Sequence, residues 1–399
     1  MTDLRRLLDL LRERSVVTAT GWWAALVGVA ALVTGWLLGW GELRVLGLGL
    51  LVLLALGMLM AAGGSRVGLE LDVRPGRVRP GADADGSLVV TNGRSRRVPP
   101  ADLEVPVGER LEAFRMPWLG PGLRLSFPFT IRTERRGVIV VGPVTTVLGD
   151  PFGLARRTIN ASRVLELFVH PVVVPLPSLD AGLVRDLEGT PTSDPSVSDL
   201  DFHTLREYLP GDDRRHIHWQ SSARVSAAAG STTLMVKGYT DTRRSHVGVL
   251  LDARSARYPD EETFEEAVTA AASIAVRALR DEMDVTVVAG AHAVDRAGVA
   301  RTLDGFSRVE PDRTALPNLA ARLHGLAPGT SIAVVVTGPD TPFSEVQRVV
   351  GHLGGHVRLH VLRVAPGERS STSTVLGVTY LTMGSLADLA RLVRVVEAS

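Results

Sequence analysis

Two kinds of apolar pattern divide this chain. Val16 to Gly39 and Val45 to Ala62 contain no charged residue. Both are apolar on every face, unlike the one-sided stripe of a soluble helix. At 1.5 Å per residue they reach about 36 and about 27 Å, so the first spans a hydrocarbon core comfortably and the second barely. Trp22, Trp23, Trp36 and Trp40 lie towards the ends of the first segment, where indoles favour the headgroup region. Trp40 to Arg44 is all that separates the two, which predicts a tight helical hairpin. Gly47 and Gly49 fall inside the second segment, where small residues serve helix packing and cannot form a dinucleotide loop.

From Val67 the period changes to alternation. Val67, Leu69, Leu71 and Val73 share one face, as do Leu123, Leu125, Phe127, Phe129 and Ile131. Turn signals such as Arg74-Pro75-Gly76 and Asn92-Gly93 separate the runs, so the pattern predicts an antiparallel β-sandwich-like domain over 67–175. Prolines 99, 100, 106, 117 and 128 favour edges and loops. A Gly/Pro/Ser-rich stretch predicts a flexible linker over 176–200. Continuous apolar runs at 247–251, 285–288, 332–336 and 357–364 then alternate with helical patterns at 261–283 and 343–353. This predicts buried parallel strands in an α/β doubly wound domain within 201–399. Leu4, Leu7, Leu8 and Leu11 give residues 1–15 an amphipathic character.

Charge orients this layout. Arg5, Arg6, Arg12 and Arg14 precede the hairpin and Arg66, Arg74, Arg77 and Arg79 follow it, whereas its tip carries only Arg44. The positive-inside rule therefore predicts a two-pass cell-membrane protein with both termini and the soluble domains cytoplasmic. A cleaved signal peptide fits poorly, because the first apolar segment is too long and a second follows at once. The 399 residues carry 44 basic and 43 acidic side chains, so no global field points to nucleic acid. Cysteine is absent, which removes disulfides, thiolate metal sites and thiol nucleophiles. Neither a P-loop nor a Gly-x-Ser-x-Gly elbow occurs.

The densest motif runs from Leu205 to Arg224. Pro210-Gly211-Asp212 is a turn with a helix N-cap candidate. Continuation as a helix puts Arg215, Trp219 and Ala223 on one face; continuation as a strand aligns Arg215, Ile217 and Trp219. The sequence leaves both open. It also leaves open whether Arg215 and Trp219 bracket and plug a domain junction beside Glu207, Asp212 and Asp213, or whether Arg215 and Arg224 form a phosphate or substrate site. The pair His216-x-His218 is weak as a metal site without a third ligand.

Tyr208-x-x-Gly211-Asp212, Arg215-x-Ile217-x-Trp219 and Ala223-Arg224, with Gly142-Pro143 and Asp150-Pro151-Phe152-Gly153 upstream, closely resemble the bacterial domain-of-unknown-function family number fifty-eight. The resemblance implies paired membrane helices, a von Willebrand A-like C-terminal domain and a MoxR-type AAA+ ATPase as partner, often with a transglutaminase-like membrane protein. It implies no reaction. Von Willebrand A-like domains often hold a divalent ion through Asp-x-Ser-x-Ser after the first strand. Here Asp252 is in place, but Arg254 and Ala256 stand at the hydroxyl positions, with Ser255 out of register. Thr337 and Asp340 are further oxygen donors, so Mg2+ at Asp252, Ser255 and Thr337 is a minor expectation beside Asp252 capping a helix or pairing with Arg254. The leading expectation is a membrane-anchored, non-enzymatic adaptor or scaffold. The alternatives are an ion-dependent protein-binding module at Asp252 and an enzyme using Asp212 and Arg215.

Overall fold

The structure is a computed structural model, and it describes residues 17–62, 67–160, 162–179, 201–208, 214, 217–229, 232, 234–240, 246–355 and 357–398. Gly211, Asp212 and Arg215 of the central motif lie outside the described residues, as do His216 and the segment 1–15. The chain divides into two compact units, Met1–Pro171 and Val172–Ser399.

The first unit opens with helices α1 (Ala19–Leu37) and α2 (Gly41–Ala62), both long and apolar enough to cross a membrane. Their lengths reverse the expectation from the uncharged runs. α1 has 19 residues, about 28 Å, because Thr18 caps it: its hydroxyl accepts the N–H of Gly21. α2 has 22 residues, about 33 Å, because Glu42 and Arg44 belong to its first turn. The connection is thus shorter than Trp40–Arg44, and Arg44 folds back to donate Nε–H to the carbonyl of Gly35 at 3.0 Å. The helices touch where Gly47 meets Gly28; a Cβ on Gly47 would lie 2.6 Å from the Gly28 carbonyl oxygen, whereas one on Gly49 would meet nothing.

Ten strands follow: β1 (Gly68–Arg74), β2 (Arg77–Val78), β3 (Ala84–Thr91), β4 (Ala101–Val107), β5 (Arg110–Met116), β6 (Arg124–Ile131), β7 (Gly137–Val141), β8 (Thr145–Gly149), β9 (Arg156–Asn160) and β10 (Leu165–Val169). They form a three-stranded sheet β1-β3-β6 and a second sheet β2-β10-β7-β4-β8-β9, with β5 also on β4. Alternating residues of both sheets meet in one core: Leu88, Val90, Phe129 and Ile131 from the first, Leu103, Val105, Val141 and Leu167 from the second. This is the sandwich-like arrangement that the alternation predicts. Pro128 sits in edge strand β6 as expected, but Pro106 lies in the interior strand β4. It fits there because β4 pairs β7 only through Val107, and the Pro106 carbonyl still accepts the N–H of Gly142.

In the second unit a ribbon of β11 (Asp201–Glu207) and β12 (Met235–Thr240) flanks helix α3 (Trp219–Ala229). The main sheet runs β15 (His292–Asp295), β14 (Asp284–Ala289), β13 (His246–Leu251), β16 (Ile332–Thr337), β17 (Arg358–Val364), β19 (Val378–Met383), β18 (Ser371–Val375). Its five inner strands are parallel and its two edges are antiparallel hairpins. Helices α4 (Glu261–Arg280) and α8 (Leu389–Ala398) pack on one face, joined by Phe306 of α5 (Val299–Ser307). α6 (Leu316–Leu326) and α7 (Phe343–Leu353) cover the other. In chain order the parallel strands read 2-1-3-4-5, and the crossover changes face between β13 and β16. The sequence pattern assigns Val172–Pro175 to the β domain and Leu176–Leu179 to the linker; instead they belong to this unit. Leu176 and Leu179 enter its core, and the N–H of Leu179 donates to Asp281 at 2.7 Å.

Two outcomes test this packing. Gly47→Leu should destabilise the hairpin by about 1–3 kcal/mol by forcing the helices apart, while Gly49→Leu leaves it unchanged, read by thermal unfolding in detergent. His360 on β17 buries both ring nitrogens without a partner, and burial, reinforced by Arg358, pulls its pKa from 6.5 to about 4. The unfolded chain takes up that proton first, so stability is complete above pH 6.5 and declines as pH falls towards 4. His360→Leu should flatten that decline in melts compared at pH 7 and pH 5.

Candidate functional site

In doubly wound sheets, ligands meet the carboxyl ends of the strands where the crossover changes face. Here that point lies between β13 and β16, and Asp252 follows β13 directly. Its backbone N–H donates to Val336 at 2.9 Å, extending the β13–β16 ladder by one bond. That places the carboxylate, with no exposed surface, at the sheet end.

A guanidinium meets it there. Arg254 donates from Nε to Asp252 Oδ1 at 2.9 Å and from a terminal nitrogen to Oδ2 at 2.6 Å, a two-pronged pair. The same nitrogen reaches Glu345 of α7 at 2.5 Å. Arg257 holds the other oxygen of Glu345 at 2.5 Å and donates to the Asp340 carbonyl at 2.8 Å. Thr337 donates a long bond of 3.4 Å to Asp252 and shares a short one with Thr341. Beneath the cluster the buried hydroxyl of Tyr258 donates to the Asp252 carbonyl at 2.5 Å. Two acids and two arginines make the cluster formally neutral. The hydrogen bonds that Arg254 donates to Asp252 raise its own pKa, and those it donates to Glu345 hold that carboxyl below its ordinary 4.5. Burial pushes the Tyr258 hydroxyl well above 10.

A divalent ion does not fit these residues. Both Asp252 oxygens already face a guanidinium, and a cation added beside Arg254 would meet its charge. Ala256 offers no side-chain oxygen, and Ser255 is exposed on a short 3-10 turn outside the cluster. Among the described residues no group of three or more His, Asp or Glu side chains is placed to hold a metal. Asp252 therefore pairs with Arg254, one of the two plain roles open to it in sequence. Glu345 and Thr341 escape sequence reasoning because they lie far along the chain from Asp252, and Arg257 and Tyr258 because nothing in the short turn after Asp252 marks them as its neighbours. Gly338 is a faint signal: a Cβ there would lie 1.8 Å from the Arg257 carbonyl oxygen, so the loop after β16 passes the 3-10 turn only as glycine.

The described part of the central motif builds a different substructure. Ile217 is buried and bridges Val236 of β12, and α3 starts at Trp219, so the motif is a bridge followed by a helix. His218 Nδ1 lies 2.8 Å from Ser221 Oγ and accepts the Ser221 N–H at 3.2 Å. Ser222 ties α3 to β12 by accepting the Met235 N–H at 2.7 Å. Tyr208 fixes the end of β11 through its N–H to Leu234 at 2.8 Å. Trp219 is 66% exposed, so it does not plug a junction within the described chain, and Ala223 and Arg224 are exposed beside it.

Residues 204–336, from β11 to β16, match a family model described as "Protein of unknown function DUF58". This segment belongs to that family. The DUF58 segment thus includes the described motif and Asp252, Arg254 and Arg257, but ends before Glu345. No curated protein matches the chain. Solved structures show only faint likeness. The CARDB domain of a Pyrococcus furiosus protein is 16% identical over 26% of this chain and 93% of its own, with a TM-score of 0.21. Proximal thread matrix protein 1 from the mussel byssus is 12% identical over 38% of this chain and 47% of its own, with a TM-score of 0.28. A beta-glucosidase from Listeria innocua is 13% identical over 29% and 17%, with a TM-score of 0.20. Similarities this weak carry no argument about fold or function.

Arg254→Ala should destabilise the α/β unit by about 3–5 kcal/mol, because it leaves Asp252 buried without a cation. Asp252→Asn in the same chain should recover part of that loss. Glu345 contributes its full stabilisation above pH 4.5 and loses it as pH falls through its depressed value; Arg254→Ala should reduce this acid dependence, with Arg257 retaining part of it. Millimolar Mg2+ should leave the melting temperature of the wild-type chain unmoved, whereas a rise would restore the ion-dependent reading.

Proposed function

We propose that this chain is a membrane-anchored, non-enzymatic adaptor whose C-terminal unit acts as a von Willebrand A-like docking domain. The supporting observation is the closed state of the sheet end. Where a doubly wound enzyme would present reactive groups, Asp252 and Glu345 are locked by Arg254 and Arg257. No free base or nucleophile is offered by that cluster. A groove of about 410 Å³ lined by Glu282, Asp284 and Arg296 lies instead at the start of β14, with its acid and arginine 3.9 Å apart. Trp219 and Arg224, exposed on α3, are residue types that dominate protein–protein hot spots.

The hairpin of α1 and α2 supplies the anchor in this reading, crossing the bilayer twice with both soluble units on the arginine-rich, cytoplasmic side. The proposed partner is the one that the family resemblance implies, a MoxR-type AAA+ ATPase, with a transglutaminase-like membrane protein as a further component. A cytoplasmic domain whose sheet end is locked by ion pairs suits repeated engagement by a nucleotide-driven machine in envelope-associated assembly or chaperone-like work.

Co-purification from detergent-solubilised membranes, with a MoxR-type ATPase of the same organism tagged and nucleotide present, tests the pairing. Retention of the chain is the expected result, weakened by Trp219→Ala. If the two never associate under any nucleotide condition, the adaptor reading fails.

A further inference from the structure

The turn Asp150–Leu154, between β8 and β9, is clamped against the helical hairpin. Thr18, the cap of α1, donates its N–H to the Leu154 carbonyl at 2.9 Å and its hydroxyl to the Gly153 carbonyl at 2.5 Å. Gly21, within the first turn of α1, lies so close that a Cβ would be 2.1 Å from the Leu154 carbonyl oxygen. On the other helix, a Cβ at Gly57 would be 3.2 Å from the Asp150 carboxyl carbon. Gly57 stands five residues before the end of α2, about 7.5 Å along its axis. The exposed side chains of Met58, Leu59 and Met60 lie further towards that end. The turn therefore rides beside the apolar part of the hairpin near its open end and not beyond it.

The turn is built for such a place. Asp150 would be costly near hydrocarbon, but its carboxylate accepts the N–H groups of Phe152 at 3.2 Å, Leu154 at 3.2 Å and Ala155 at 2.8 Å. That wrapping turns Phe152 outward, where it is 64% exposed. On α1, Trp22 and Trp23 follow Gly21 directly and are 63% and 67% exposed. Arg157, just after the turn, is exposed as well. An outward phenyl group, two indoles and an arginine at the same end of a hairpin make a set that suits the boundary between acyl chains and anionic headgroups.

We propose that the Asp150–Leu154 turn is a third membrane contact, which seats Phe152 in the headgroup region and holds the β domain against the bilayer surface. This rests on the reading that α1 and α2 span the bilayer. The occupant is the lipid surface itself: the exposed apolar surface of the two helices continues into the turn without a break in the chain contacts.

Because the chain contains no cysteine, single labels need no prior substitution. Full-length Phe152→Cys, Trp23→Cys and Leu48→Cys variants would be labelled with a fluorophore and reconstituted in phosphatidylethanolamine–phosphatidylglycerol vesicles. Quenching by lipids spin-labelled at the headgroup or at the acyl end, and by aqueous iodide, then reports depth. Thermal melts confirm that each variant folds. The expected result is acyl-end quenching at position 48 and matching headgroup quenching at positions 23 and 152. Iodide-dominated quenching at 152, with 48 still in the acyl region, overturns the turn contact and leaves the spanning hairpin intact. Iodide quenching at 48 overturns both.

Discussion

The carboxylate of Asp252 has no exposed surface, and the end of the α/β sheet is arranged around its neutralisation. Removing a buried carboxylate from water costs several kcal/mol unless a cation and further hydrogen bonds replace the solvent. Arg254 supplies the cation from only two residues away, which bends the chain into the 3-10 turn that brings Arg257 to Glu345. Glu345 in turn lies in the first turn of α7, so the pair fixes a helix start against a strand end. A planar guanidinium with several fixed donors can serve two carboxylates together, which a lysine ammonium would do with poorer geometry. A divalent ion could organise the same loops, but its occupancy would follow the ion supply. The arginine makes the arrangement permanent.

A second aspartate solves a similar problem in the first unit. Asp150 also follows a strand directly, yet its charge is met by three backbone N–H groups and no cation. The difference matches the neighbours. Asp252 sits among loops that can bring long arginines inward, whereas Asp150 faces a glycine of an apolar helix that offers no side chain. Backbone donors keep the turn compact enough for Gly21 and Gly57 to accept it. The small residues of the hairpin therefore serve two contacts, helix against helix at Gly28 and Gly47 and helix against turn at Gly21 and Gly57.

Periodicity makes much of this legible in the sequence. The alternation from Val67 and the apolar runs from Val247 follow directly from burial on one face or on two, and the strands appear where those patterns lie. Ends were harder to read. Charge-free runs underestimate α2, because Glu42 and Arg44 are tolerated in a first turn near the hairpin tip. The segment 172–179 is apolar but interrupted by Pro175 and Pro177, so it shows no clear period, yet Leu176 and Leu179 are buried through long-range packing that no local pattern encodes. At the candidate site, Asp252 and Arg254 were visible as neighbours in sequence. Glu345 was not, since it lies some ninety residues from Arg254 with three strands in between. Pro106 is tolerated in an interior strand because an incomplete ladder, not an edge, spares its missing N–H.

The central motif separates into two physical roles once its neighbours are known. Ile217 and Ser222 face inward and tie α3 to β12, so their identities answer to packing and to a backbone N–H that needs an acceptor. Trp219 stands between them in sequence but points its large apolar surface to solvent. A structural role would bury an indole, given the area that it can remove from water. One exposed tryptophan beside an exposed arginine, on a short helix pinned by buried neighbours, has the composition and rigidity of an interface anchor. A closed ion cluster at the switch point and an open aromatic on α3 both support the proposed reading, in which this unit recognises another protein surface.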